Sequence, residues 1–264
     1  MTPLLPVLSW KQLLAALVLI LATGMAGYAQ RAASSLSTAP AGANTWLTFL
    51  SDARLSKRWG LHLDGQLRRA KDAYQPQQLA RIGINYHVAP ALQLTAGYAR
   101  ASSYFHNDYA SASPLPEHRL YQQVLLRNDS GRVHTQHRYR LEQRWVRRPG
   151  DAQATYLNRM RYQLRLVVPL GNKGKLEPGT PYLAGADEIF LGFGASAGRN
   201  FFEQNRAYLA LGYQFTKTVA MEAGYQHQMV QPAAGYSMQY HHTLQLGLSV
   251  TTDLRRGLAL ATAL

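Results

Sequence analysis

Along most of the chain, apolar and polar residues alternate one by one. In RMRYQLRLVVPL, residues 159 to 170, Arg159, Arg161, Gln163 and Arg165 take one set of alternate positions, and Met160, Tyr162, Leu164 and Leu166 take the other. A helix turns successive side chains by about 100° and would scatter these arginines around its circumference. An extended chain places them on one face and the apolar residues on the other, so the stretch reads as a strand between a wet and an oily environment.

The same period recurs from Trp46 onward. WGLHLDGQLRR sets Trp59, Leu61, Leu63 and Leu67 against His62, Asp64, Gln66 and Arg68, and ARIGINYHV sets Ile82, Ile84, Tyr86 and Val88 against Arg81, Gly83, Asn85 and His87. ALQLTAGYAR, RAYLALGYQF, VAMEAGYQH and HTLQLGLSV repeat it. Short turn signals such as Ala89-Pro90, Asp129-Ser130-Gly131 and Thr216-Lys217-Thr218 alternate with long stretches rich in Ser, Gly, Asn and Ala at 102–116, 195–204 and 231–237. Residues 171–181 are the exception, long where the alternation calls for short.

Two all-β architectures accommodate such strands. A sandwich or lipocalin-like barrel turns the apolar face inward, whereas an outer-membrane barrel turns it toward lipid and keeps the polar face in the lumen. Many runs reach about ten residues, the length a tilted membrane strand needs, while strands of soluble proteins average about five or six. Sixteen tyrosines and four tryptophans, many near strand ends, suit interfacial girdles. The expected fold is therefore all-β, an antiparallel transmembrane β-barrel. About eleven strand-like segments are legible, yet bacterial single-chain barrels carry an even number. One segment is thus expected to be spurious or one missed, giving roughly ten to twelve strands.

Composition changes the picture at the N-terminus and in the charge. Lys11 precedes the apolar run LLAALVLILATGMAG, and Gly27-Tyr28-Ala29 offers the small residues of a cleavage site, so residues 1–29 read as a signal peptide. The small polar stretch 30–44 reads as a linker, and 45–264 as the barrel. The protein is expected in the bacterial outer membrane, with outer-membrane lipid as its surroundings. The absence of cysteine removes disulfides, thiolate metal sites and cysteine nucleophiles. A net charge of +14 would ordinarily point to nucleic acid. Here the basic residues alternate with lipid-type residues over many strands, so a nucleic-acid partner is not expected.

NTWLTFLSDARLSKRWGLHLDGQLRR, EHRLYQQVLLR, HRYRLEQRWV, RMRYQLRLVVPL, DEIFLGFG and FEQNRAYLALGYQF, taken together, resemble the bacterial family catalogued as domain of unknown function 2490. The resemblance runs from about Trp46 to Leu254. It implies an outer-membrane β-barrel common in Bacteroidota-type bacteria, with no assigned biochemical role and no catalytic residues to carry over.

The candidate chemistry lies on the polar face. HRYRLEQRW places Arg138, Arg140, Glu142 and Arg144 together, and the next strand adds Arg159, Arg161 and Arg165. A hairpin symmetrical about Gly150 and Asp151 sets Glu142 opposite Arg159 and Arg140 opposite Arg161, a like-charge pair that calls for an intervening acid. Glu188, Glu222, Asp64 and Asp187 are candidates for that acid, and Arg206 joins the same polar face. Two readings follow: an interlocked network that fills a narrow barrel, making it a structural scaffold, or an anion-favouring passage for small anionic solutes. A third reading, lipid hydrolysis, would use His241 or His242 with Ser237 or Ser249, but no nucleophile elbow surrounds them. His134 and His137 fall on opposite faces of a strand, so no metal site is expected, and no cofactor motif is present.

Overall fold

The computed structural model describes residues 44–69, 77–103, 115–147, 151–171, 174–194, 201–231 and 237–255. The expected signal peptide and nearly all of the linker lie outside them. Eleven strands follow in order: β1 (Asn44–Arg54), β2 (Trp59–Arg69), β3 (Gln77–Ala89), β4 (Leu92–Ser103), β5 (Leu115–Ser130), β6 (Val133–Val146), β7 (Thr155–Pro169), β8 (Thr180–Phe193), β9 (Phe202–Gln214), β10 (Val219–Val230) and β11 (Gln239–Asp253).

Each strand pairs antiparallel with its sequence neighbours, and β1 and β11 close the barrel by pairing parallel, from Asn44 opposite Thr243 to Arg54 opposite Asp253. This corrects the expectation of an even count. An odd number of up-and-down strands leaves the first and last pointing the same way, and a parallel ladder between them still satisfies every edge. No segment is spurious.

The odd count also puts the start of β1 and the end of β11 at opposite rims. Residues 55–58, 90–91, 131–132, 170–179 and 215–218 connect strands at one rim, and the remaining connections lie at the other. Asn44 begins β1 at the rim of the longer connections, and Asp253 ends β11 at the rim of the shorter ones. The long connection at 170–179 turns with the help of Gly174 and Gly179, at φ +63° and +82°, a backbone region that disfavours a side chain.

Faces follow the pleat. Ile84, Leu67, Leu211, Leu244 and Leu246 point outward and are half or more exposed, while Arg140 and Glu142 point inward at 2% and 1% exposure. The barrel is thus inverted relative to a soluble one. Its inner wall alternates bulky side chains with very small ones: Ala99, Ala101, Ala184 and Ala210 leave the width that arginines need. Inward tyrosines lie across wall glycines. A Cβ at Gly83 or Gly97 would sit 2.5 or 2.6 Å from the Tyr121 hydroxyl, so Tyr121 can lie flat there only because both residues are glycine.

Candidate functional site: the arginine-rich lumen

The β6–β7 register places Arg140 opposite Arg161 and Glu142 opposite Arg159. The like-charge pair is bridged. Arg161 reaches Glu142 at 2.7 Å and Glu188, from β8, also at 2.7 Å, and Arg138 meets Glu188 at 2.8 Å. Arg159 closes on the other oxygen of Glu142 at 2.5 Å. Two carboxylates therefore hold three guanidinium groups, each charge-assisted hydrogen bond being stronger than a neutral one. Glu142, Glu188, Arg159 and Arg161 are all buried in this layer.

The layer extends toward the longer connections. Glu117 takes a two-pronged contact from Arg119 at 2.7 and 2.9 Å and another from Arg144 at 2.5 Å. Glu203 approaches Arg159 at 3.3 Å and Arg144 at 3.7 Å. Glu203 owes its position to a β-bulge: Phe190 pairs with Gln204 but Leu191 with Phe202, so Glu203 is the additional residue and turns inward.

Aromatic rings fill the centre. Phe190, 1% exposed, lies under Arg161, Arg206 and Arg159 at 4.4, 4.6 and 5.3 Å from its centroid, and Trp46 receives Arg68 at 4.0 Å and Arg206 at 5.0 Å. A guanidinium face over an aromatic ring is favourable, and the ring displaces water that the cation would otherwise hold.

Toward the shorter connections the lumen opens into a cavity of about 350 Å³. Arg165 and the Tyr182 hydroxyl both donate to Glu222, with Tyr208 at 3.4 Å. Asp64 pairs with Arg81 at 2.5 Å, and Asp52 accepts from His62 and from Asn85, which in turn accepts from Thr95. The ten residues singled out on the polar face, from Arg138 to Glu222, thus line one lumen, with Arg165 and Glu222 forming a separate cluster below the central layer.

Asp187 does not belong to this network. It faces outward, and Asn205 caps its two oxygens at 3.0 and 3.1 Å; the acids that bridge the arginines are Glu142 and Glu188. Ser249 and His241 lie eight residues apart on β11, about 26 Å at the rise of a strand, and the Ser249 hydroxyl donates to the Ala220 carbonyl at 3.3 Å. Ser249 is therefore not placed against His241. His242 is on the outer face, in contact with Tyr225. His134 and His137 bond to different partners, Asp129 and Tyr162. Among the described residues no group of three His, Cys, Asp or Glu is placed to hold a metal.

Sequence reading missed Glu117, Arg119, Glu203, Trp46, Tyr121 and Phe190. The first two share the alternation of β5, but it is blurred there because Tyr121 turns inward while Gln122 turns outward to exchange hydrogen bonds with Gln143. The model of a family described as "Protein of unknown function (DUF2490)" matches residues 43–239. No curated protein and no solved structure matches the chain.

Proposed function

The chain belongs to the DUF2490 family, and from that premise we propose that it is a bacterial outer-membrane barrel whose lumen is sealed, so that it serves as a structural scaffold in the membrane and conducts no solute. The observation that carries this reading is the buried Arg–Glu layer across an inverted barrel: Arg161, Glu142 and Glu188 are at most 5% exposed while the outward leucines are exposed.

The outer face supports a lipid environment. Trp59 and Tyr86, and Tyr213 and Phe215, pack edge-on toward the shorter connections. Trp145 with Tyr156, and Tyr240 with His227, lie toward the longer ones. Between these aromatic groups the exposed side chains are largely Leu, Ile and Met, with Tyr98, Tyr139 and Tyr225 among them, and the outward polar groups pair with one another, Gln122 with Gln143 and Asp187 with Asn205. Such a belt flanked by aromatic girdles is what a bilayer selects. Strands of 11 to 16 residues are long enough to cross it. Export through residues 1–29 and cleavage after Ala29 complete the proposal. The small anion-favouring channel remains the second reading, supported by the excess of arginine in the lower cavity, and it requires the Glu142–Arg161–Glu188 layer to part. A lipid hydrolase would require Ser249 and His241 to meet.

Two measurements separate location from conduction. Cell fractionation is expected to recover the mature chain in the outer membrane, with heat-modifiable migration on gels; recovery in the soluble periplasm would overturn the membrane reading. Refolded protein in a planar bilayer is expected to show no steady conductance. A steady anion-selective current would replace the scaffold by the channel.

A further inference from the structure

The cavity below the seal carries an unbalanced charge. Among the described residues lining it are seven arginines and four carboxylates. Arg81 pairs with Asp64, Arg138 and Arg161 with Glu188, and Arg165 with Glu222, while Arg206 lies over Phe190 and Trp46 and Asp52 is held by His62 and Asn85. Arg140 and Arg127 have no carboxylate within ion-pair distance among the described residues.

Arg140 is 2% exposed, yet it makes no ion pair with any described carboxylate. Its Nε and Nη2 donate to the neutral Gln123 at 2.9 and 2.6 Å, and its guanidinium lies 4.9 Å from the centroid of Tyr121. Arg127 donates only to the neutral Gln93 at 3.1 Å. A buried cation held by amides alone is costly, because desolvation is not offset by an opposite charge. The two arginines share one wall. Gln123 is opposite Arg140 and Arg127 opposite Gln136 on the β5–β6 ladder, with Arg138 on β6 between them. This column of guanidinium groups and amides descends from the seal to the rim of the shorter connections.

We infer that this wall is a binding site for a small soluble oxyanion, of the phosphate or phosphate-ester class. The excess of guanidinium over carboxylate groups along it sets the sign of the ligand's charge. Planar guanidinium forks, with Gln136 nearby, present several N–H donors to oxygen acceptors, a geometry that favours an oxyanion over a halide. The seal above makes the site blind, entered from the rim of the shorter connections. Because it is formed by the lumen wall, the inference does not depend on where the barrel resides or whether the seal ever opens.

The test uses the mature full-length protein in detergent micelles, titrated with inorganic phosphate by calorimetry and followed by thermal unfolding, with chloride at matched ionic strength as control. Saturable phosphate binding that raises the unfolding midpoint is expected, with no comparable effect of chloride. Arg140→Gln should weaken phosphate binding by about tenfold or more, the loss of a charge-assisted contact, while leaving the ligand-free midpoint unchanged or raised. Arg127→Gln, at an exposed position that poses little risk to folding, should weaken it in the same direction. Absence of saturable binding, or binding that both variants leave intact, would overturn the site. A dicarboxylate such as malonate binding more tightly than phosphate would overturn the ligand class.

Discussion

The two halves of the lumen use the same residue in opposite ways. In the seal, Arg159 and Arg161 are buried and matched, each touching Glu142 and a second glutamate. Where that layer borders the cavity below, Arg140, opposite Arg161, is equally buried but bonded only to Gln123 among polar groups. The barrel wall is the same in both, so wall geometry does not distinguish them; the placement of carboxylates does. A matched lattice closes space, whereas unmatched cations below it leave a field for an anion to answer.

The sharpest break of this contrast is Arg161→Ala. It strips Glu142 of one of two arginine partners and Glu188 of one of the arginines that hold it. Removing one member of such a buried set is expected to cost about 3–5 kcal/mol, read as a lower denaturant midpoint at unchanged slope. A near-native midpoint would mean that water already reaches the layer, and the seal would then be only apparent.

A smaller expected effect tests the border between lumen and lipid. Gln245 lines the cavity and its neighbour Leu246 is 50% exposed on the outer face. Leu246→Arg is expected to cost about 2–4 kcal/mol in a lipid-refolding assay, and Gln245→Arg much less. Equal folding yields would show that the outer face does not meet lipid. The smallest stability effect belongs to Arg140→Gln, where removing an unmatched charge should leave the phosphate-free protein as stable as before or more so. A loss as large as that at Arg161 would erase the distinction between the two halves.

Much of this was legible in the one-by-one alternation. The pairing of Glu142 with Arg159 follows from residue parity and a symmetrical hairpin, because antiparallel partners keep a constant sum of residue numbers. The bulge opposite Phe190 breaks that rule, which is why Glu203 escapes a reading by parity although it faces both Arg144 and Arg159. Trp46, Tyr121 and Phe190 escape it for a different reason. An aromatic ring is apolar to a pattern, yet its face can lie against guanidinium groups inside a polar lumen.

By itself the sequence determined the strands, their two faces and the concentration of arginine on one of them, since these depend on the period of two and on local turn chemistry. Only the tertiary structure decided that eleven strands close through a parallel β1–β11 seam, that Glu142 and Glu188 rather than Asp187 bridge the arginines, and that Arg140 has no carboxylate partner among the described residues. Those outcomes depend on which strands meet across the lumen and at what height. Barrel closure sets that geometry, and no run of neighbouring residues encodes it.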